Sequence, residues 1–151
     1  FSHRRLAEQF KNKTAHRIYL ALCFGVPRNK SGRIESLIGR HPQNRKKFSS
    51  QKSGRQAVTH FQVEKTRGGA LSLLRLRLET GRTHQIRVHL SELGHPIVGD
   101  PLYCPANKAR TLKAKSVREK VTAIDRLCLH AAELGFEHPR SKEKIMFQTD
   151  W

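Results

Sequence analysis

Acidic residues are scarce in this sequence of 151 residues, which holds 12 Asp and Glu against 30 Lys and Arg and has a formal net charge of +18 at pH 7. Between Ser36 and Val63 no acidic residue occurs at all. A molecule with this charge repels itself, so it is expected to bind a polyanion, and nucleic acid is the first candidate. An anionic membrane is the alternative, but no apolar run approaches spanning length and no strongly apolar amphipathic helix carries the lysines. The composition therefore predicts no membrane partner.

Cysteine is also rare, and Cys23, Cys104 and Cys128 are odd in number, widely spaced and never in a CxxC pair. This pattern argues against a disulfide framework or a zinc site and predicts a reducing compartment, the cytoplasm. None of the nine histidines lies in an HExxH or Cys/His spacing. The sequence therefore predicts no metal site.

A single methionine, Met146, is present, and the sequence begins with Phe1. It is therefore expected to be a piece of a longer protein. The first residues, FSHRRLAEQF, lack the apolar segment of a secretory signal and do not follow a transit-peptide pattern. A chain of 151 residues suits one domain, large enough to bury its own hydrophobic core.

Among the patterns present, the most informative runs from Leu78 to Tyr103, LETGRTHQIRVHLSELGHPIVGDPLY. Leucines alternate with charged residues before it, which predicts a half-buried strand that ends at a glycine turn. Thr83 is predicted to cap a helix whose buried face repeats at i, i+4 and i+7. That face consists of Ile86, Leu90 and Leu93. A second face near the helix N-terminus, where free N–H groups and the helix dipole favour anions, consists of His84, Arg87 and Ser91.

Shorter patterns predict the other elements. Residues 2–13 form an amphipathic pattern, with Leu6 and Phe10 on a narrow buried face of a covering helix. In RIYLALCFG, aliphatic residues alternate with a second set that includes Tyr19, which predicts a strand with Tyr19 pointing away from the aliphatic face. Two alternating runs that meet at residues 66–69 predict a hairpin.

The C-terminal third is harder to assign. The basic run of residues 105–120 predicts a mobile insertion with one helical turn. The final segment predicts a strand or short helix at residues 127–131, followed by strands at 134–137 and 145–147. His130 lies inside an apolar pattern, so it is interpreted as a hydrogen-bonded structural residue.

Three segments occur in the order of the motifs of one known family: RIYLALCFG, then GRTHQIR with GHPIVGDPLY, then RLCLHAAELGFEHP. They are similar to KxYxAxxxG (with Arg17 in place of the lysine), to the third signature motif and to RxxLHAxxLxFxHP of the RluA-type pseudouridine synthases. The resemblance covers residues 2–148. It implies an α+β fold with a central mixed, mostly antiparallel sheet and flanking helices. It also implies part of an enzyme that isomerises uridine to pseudouridine in RNA without a cofactor.

In that family the arginine matching Arg87 pairs with the catalytic aspartate, and the tyrosine matching Tyr19 stacks on the target base and is implicated in proton transfer. The residues alone leave another interpretation open, in which Arg87 is a helix-surface arginine and Tyr19 a packing tyrosine. The family's aspartate motif, similar to HRLDxxTSG, does not occur in the sequence and is expected upstream of Phe1. Asp100 is interpreted as a turn-stabilising residue. We therefore expect Arg87 to face an empty position in this chain.

Two sets of residues are predicted to contact RNA. The first lies beside the predicted helix N-terminus and suits phosphates or an extruded base; it consists of Arg82, Thr83, His84 and Gln85. The second lies in a basic loop and suits the RNA backbone; it consists of Arg40, Arg45, Lys46 and Lys47. A solvated charge run is the alternative interpretation of the loop.

Two other functions stay open at this point. A ribosome-associated RNA-binding module without catalysis explains the charge equally well. A DNA-binding module is the weaker hypothesis, because no helix-turn-helix, zinc-finger or basic-zipper pattern occurs. Large-subunit ribosomal RNA is the favoured substrate and transfer RNA the second. If strands upstream of Phe1 are missing from this sequence, sheet edges stay unpaired, and we therefore expect the chain to self-associate.

Overall fold

A computed structural model describes residues 2–12 and 14–151. Its elements, in chain order, are the following: α1 Ser2–Lys11, β1 His16–Phe24, β2 Ser31–Arg40, β3 Phe48–Ser50, β4 Arg55–Arg67, β5 Leu71–Leu78, α2 Gln85–Glu92, α3 Lys115–Thr122, β6 Leu129–Glu137 and β7 Lys144–Gln148. A short 3-10 helix, Lys108–Thr111, precedes α3. None of the described helices is long and apolar enough to cross a lipid bilayer.

The strands form one seven-stranded sheet in the order β3-β2-β4-β5-β1-β6-β7. Every pairing between described strands is antiparallel. The α+β class with a mostly antiparallel sheet and flanking helices is therefore confirmed. After α2 the chain returns to the sheet as β6, which pairs with β1 on the side opposite β5. The segment that contains α2 and the turn after it therefore connects β5 to β6.

The β4–β5 hairpin forms as predicted, and its turn explains why the sequence identified it. Gly68 and Gly69 both have positive φ, 56° and 67°. Two consecutive residues in this region match the twist of the flanking strands in a tight hairpin turn, and glycine adopts it without steric cost. Leu74 and Leu76 of β5 are then fully buried in the main core.

The buried side of β1 differs from the simplest interpretation of its alternation. Ala21 and Cys23, on the side shared with Tyr19, are 0% exposed, whereas the aliphatic Leu20 and Leu22 are only half-buried. Cys23 forms an isolated antiparallel bridge with Ile97, so the segment after α2 pairs with the edge of β1 beyond the part that pairs with β6. The aliphatic alternation alone does not reveal which face of β1 is the more deeply buried.

Helix α2 begins later than predicted. It starts at Gln85, and the N-cap position belongs to His84, whose φ of 56° is left-handed and whose side chain makes no capping bond. Thr83 is therefore not the cap. Ile86 and Leu90 are buried as expected, but Leu93 is 40% exposed and lies at the C-cap, just beyond the last helical residue Glu92.

The other helices also correct the sequence interpretation. Helix α1 has no buried residue, and Phe10 is 38% exposed. It is tied to β6 by Gln9 instead, whose Nε2 donates to Glu137 O at 2.7 Å and whose Oε1 accepts from Glu137 N at 2.8 Å. The predicted helical position at residue 13 lies outside the described residues.

The basic run after Tyr103 holds more structure than one helical turn. Leu112, 4% exposed, and Val121 of α3, 7% exposed, anchor it in the main core. Beyond it, β6 is one continuous strand that pairs with β7. His130 accepts or donates a 2.6 Å hydrogen bond between its Nε2 and Thr149 Oγ1, which confirms its interpretation as a hydrogen-bonded residue.

Candidate active site and RNA-binding surface

Arg87 lies on the side of α2 that faces the turn after the helix. Its Nε donates to Asp100 Oδ2 at 2.8 Å and its Nη2 donates to Asp100 Oδ1 at 2.7 Å. This is the parallel two-bond geometry that a guanidinium forms with a carboxylate. The Arg87 side chain is 14% exposed and the Asp100 side chain 0%. The prediction that Arg87 faces an empty position is therefore wrong, because the chain supplies a carboxylate from its own turn.

Asp100 is held in that position by the turn itself. Its Oδ1 also accepts from the backbone N–H groups of Leu102 at 2.9 Å and Tyr103 at 3.1 Å. The preceding residue, Gly99, has a φ of 73°, and a Cβ there would lie 1.9 Å from Arg126 O. Only glycine fits at this position. The turn-stabilising role that the sequence suggested for Asp100 agrees with these bonds, and the ion pair with Arg87 comes in addition.

The charges of this pair are mutually stabilised. Burial alone would raise the pKa of Asp100, but the Arg87 hydrogen bond and the two backbone donors lower it below its usual value. The hydrogen bond to Asp100 raises the pKa of Arg87. Within residues 2–12 and 14–151, no hydrogen bond is made by Arg87 Nη1. Arg87 is therefore a fixed cation with one nitrogen still available.

Tyr103 connects this pair to the start of α2. The Arg87 guanidinium carbon lies 4.9 Å from the centre of its ring. The Tyr103 hydroxyl is 2.9 Å from His84 Nδ1 and accepts from the backbone N–H of Phe48 at 2.8 Å. Sequence reasoning did not assign Tyr103 a role. The only indication in the sequence was its position three residues after the aspartate of GHPIVGD, close enough for both residues to belong to one turn.

His84 is enclosed by aromatic rings and cations. It meets Phe48 and Tyr103 edge-on, with ring centres 5.4 and 5.6 Å away. Burial lowers the pKa of His84, and the nearby Arg87 lowers it further. We therefore expect a neutral imidazole at pH 7, which can contact RNA as a hydrogen-bonding group and a ring surface.

The predicted basic loop joins β2 to β3 and lies against the same cluster. Arg40 packs its guanidinium 5.2 Å from the Phe48 ring centre and donates from Nη1 to Arg45 O at 2.7 Å. Lys47 places its Nζ 5.8 Å from the ring centre of Tyr103. Arg45 and Lys46 are exposed at the tip. Through Phe48 and Tyr103, the structure brings the loop together with His84 and Arg87.

The remaining residues of the first predicted set have different environments. Gln85 is 3% exposed, and its Nε2 donates to Val58 O and Thr59 Oγ1, both at 3.0 Å. Its Oε1 accepts from Thr80 Oγ1 at 2.8 Å and from Arg82 N at 2.9 Å. All four amide positions are thus used inside the protein, which does not fit direct contact with RNA. Arg82 is half-buried and Thr83 exposed.

Tyr19 lies at a sheet irregularity. The register between β1 and β6 shifts between Ile18 and Tyr19, and such bulges re-aim side chains. Tyr19 is half-buried, pairs with Leu76 and packs against the main core. No hydrogen bond, ion pair or ring contact joins Tyr19 to Arg87 within the described part of the chain. Nor do the described His, Cys, Asp and Glu residues form a group that could hold a metal ion.

The antiparallel sheet thus carries a half-buried Arg87 beside a strongly basic loop. The model of the RNA pseudouridylate synthase family matches residues 1–92. RNA pseudouridine synthase 2, chloroplastic, of Oryza sativa subsp. japonica is 41% identical over 97% of this chain and 36% of its own length. Ribosomal large subunit pseudouridine synthase D of Nitrosomonas europaea is 40% identical over 95% of this chain and 40% of its own length.

A solved structure, Human RNA Pseudouridylate Synthase Domain Containing 1, superimposes with a TM-score of 0.74 at 29% identity over 95% of this chain and 58% of that chain. The chain belongs to the RNA pseudouridylate synthase family, and its relatives confirm the RluA-type resemblance. It spans 36% to 46% of the length of the curated relatives it matches.

Proposed function

We propose that this chain is the larger part of the catalytic domain of an enzyme that isomerises uridine to pseudouridine in RNA. The observation that carries the proposal is the Arg87 arrangement: a fixed guanidinium on a motif helix, with Nη1 available, beside a basic loop. The nucleophilic aspartate is expected from a segment upstream of Phe1. An arginine beside that carboxylate keeps it ionised at neutral pH, as its attack on the uridine requires.

The reaction breaks the glycosidic bond, turns the uracil and rejoins it through carbon, so the base must first leave its stack. Unstacking costs a few kcal/mol, which contacts with the RNA backbone offset. We assign that task to Arg40, Arg45, Lys46 and Lys47 of the β2–β3 loop. Tyr19 is proposed as the flat surface and hydroxyl next to the base. No cofactor is needed by this scheme.

Large-subunit ribosomal RNA is our favoured substrate, because several relatives carry the name Ribosomal large subunit pseudouridine synthase D. Transfer RNA is the second. A reducing compartment such as the cytoplasm fits the three free cysteines, two of them buried.

A non-catalytic RNA-binding module is the second candidate, and one observation favours it. Arg87 already has a full carboxylate partner in Asp100, so its position does not require a catalytic aspartate. Such a module would bind RNA through the same loop and would produce no pseudouridine.

The test measures tritium release from C5-labelled uridine in RNA by the longer protein that contains this chain, in parallel with RNA affinity. Arg87→Lys is expected to reduce turnover at least about 100-fold and to change affinity less than about twofold, because lysine cannot reproduce the planar fork. Tyr19→Phe is the second variant and Arg140→Lys, at an exposed turn, the control. Normal turnover by Arg87→Lys, or no release by the unaltered protein, would contradict the proposed chemistry.

A further inference from the structure

A strongly cationic cavity of about 490 Å³ lies between the end of α1, the start of β1 and the turn after β5. Four cationic side chains and one carboxylate line it: Lys11, Arg17, Arg55, Arg82 and Glu79. The carboxylate is engaged elsewhere as well, since Glu79 Oε1 is 2.5 Å from His60 Nε2. The cavity therefore carries an excess of positive charge, which favours an anionic ligand.

Arg17 is the most buried of the four cationic side chains that line the cavity. It is only 9% exposed, and its guanidinium stacks 5.4 Å from the ring centre of Phe10. Its Nη2 donates to Leu78 O and Glu79 O at the long distances of 3.5 and 3.3 Å. Its Nε is buried with no hydrogen-bond partner among the described residues. A buried donor without a partner is costly, so the Arg17 side chain has unused hydrogen-bonding capacity beside the cavity.

Two further arginines, Arg55 and Arg82, line the same cavity as Arg17. Arg82 is anchored by a 2.9 Å bond from Nε to Gln56 O, and its terminal nitrogens make no hydrogen bond to the described residues. Burial lowers the pKa of Arg82, and Arg55 lowers it further. Burial also lowers the pKa of Arg17, where the proximity of Arg82 acts in the same direction. Each of these guanidinium groups would be stabilised by a shared anion.

Gly81 makes this arrangement geometrically feasible. A Cβ at Gly81 would lie 2.7 Å from Arg17 Nη1, closer than van der Waals contact permits. The glycine of the GRTHQIR segment therefore leaves room for the guanidinium beneath the turn. Arg82 lies three residues before the start of α2, the helix that carries Arg87.

We propose that this cavity binds one phosphate of the RNA backbone, through Arg17, Arg55 and Arg82, and thereby fixes the strand that carries the target uridine. Phosphate oxygens accept several hydrogen bonds from guanidinium groups at once, which suits the three arginines that line the cavity. This inference rests on the proposed function for the identity of the ligand. The same chemistry would also accept free inorganic phosphate.

The experiment has two arms on the 151-residue chain. In the first, inorganic phosphate is titrated while the Nε–H signal of Arg17 is followed by NMR. In the second, affinity is measured for a single-stranded uridine-rich RNA and for versions with one neutral methylphosphonate at each linkage in turn. Arg82→Gln and the conservative Arg17→Lys are compared with Arg140→Gln, an exposed arginine at the β6–β7 turn.

Arg82→Gln is expected to weaken RNA binding about fivefold and to reduce the salt slope by about 0.7, the value for one single-strand phosphate, whereas Arg140→Gln changes little. One methylphosphonate position should weaken binding to the unaltered protein but not further weaken binding to Arg82→Gln. Additive losses at every linkage would overturn the phosphate site while leaving RNA binding intact. An Arg17 response to phosphate without any RNA binding would instead overturn the proposed function and its RNA ligand, and leave a free-phosphate site.

Discussion

The guanidinium of Arg87 uses two of its nitrogens to bind Asp100 and keeps the third for another partner. Nε and Nη2 hold the buried Asp100, while Nη1 makes no bond to any residue of 2–12 or 14–151. The two bonds to Asp100 fix the orientation of the side chain. The unbonded Nη1 can donate a hydrogen bond to a further anionic group. A cation that is already oriented loses little side-chain entropy when a second carboxylate or a phosphate arrives. Asp100 is thus a positioning residue for Arg87 and a structural residue for the turn.

The ion pair predicts a pH-dependent stability at Asp100. Asp100→Asn is expected to lower the free energy of unfolding by about 3 kcal/mol at pH 7, because it leaves Arg87 without a buried counter-charge. Since the pKa of Asp100 is lower in the folded than in the unfolded state, its stabilisation is complete above the unfolded-state pKa of about 4 and is lost as the pH falls through the folded-state pKa.

Urea unfolding of the wild type and the variant between pH 7 and pH 3 checks this expectation. The difference between the two proteins should narrow at the acidic end of the range. Asp125→Asn, at an exposed aspartate, is the matched control and should give no pH-dependent difference. A gap between wild type and Asp100→Asn that stays constant with pH would show that the charge of Asp100 does not stabilise the fold.

At the scale of elements, the β2–β3 loop and the start of α2 act together because aromatic rings join them. Phe48 packs against the Arg40 guanidinium and meets the His84 ring edge-on, and Tyr103 contacts Lys47 and bonds to His84. The loop is also held internally, since His41 Nδ1 accepts from the backbone N–H groups of residues 43 and 44 at 3.2 Å. The cationic side chains are therefore presented from a defined surface.

The loop tip is expected to contribute phosphate contacts that are independent of catalysis. Replacing both Arg45 and Lys46 by Gln should weaken RNA binding and reduce the salt slope by about 1.4, the value for two single-strand phosphates. Thermal stability should change little, since both side chains are exposed. Fluorescence anisotropy at several salt concentrations measures the slope. The pair Arg140→Gln with Lys144→Gln removes the same charge from the opposite end of the sheet, and an equal effect there would mean that binding follows net charge alone.

Local features were predictable from the sequence at this scale, whereas contacts across the fold were not. The Gly68–Gly69 turn and the buried leucines of β5 depend on neighbours within a few residues, and both were predicted. Arg87 and Asp100 are 13 residues apart, and their contact depends on how the chain turns after α2. The same holds for Gln85, whose amide is enclosed by β4. A motif identifies such residues but does not tell which of them face inward.

At the scale of the whole molecule, the β7 edge is less protected than the rest of the sheet. Among the described strands β7 pairs with β6 alone, and Met146 and Phe147 on it are 53% and 54% exposed. An apolar edge strand is a template for pairing with another chain. Its position at the opposite end from the β2–β3 loop keeps it away from the proposed RNA surface.

Self-association of the chain through β7 is therefore expected. Sedimentation at about 100 μM should give a mass above the monomer value of 17.3 kDa, and Phe147→Lys should restore the monomer. Leu37→Lys, at an exposed leucine of β2, is the comparison. If both variants or neither restored the monomer, the β7 edge would not be the contact.

Finally, the 151-residue chain by itself is expected to make no pseudouridine. None of its three aspartates lies in an HRLD-type context, and the one nearest to Arg87, Asp100, is fully enclosed and bonded to it. An aspartate in that state cannot reach a uridine without giving up its ion pair and two backbone bonds. The measurement is tritium release from C5 by the chain, compared with a Tyr19→Phe, Arg87→Ala double variant and with the longer protein on the same RNA. Release by the chain above the level of the double variant would show that the nucleophile lies within these residues, and Asp100 would then have to leave Arg87 during turnover.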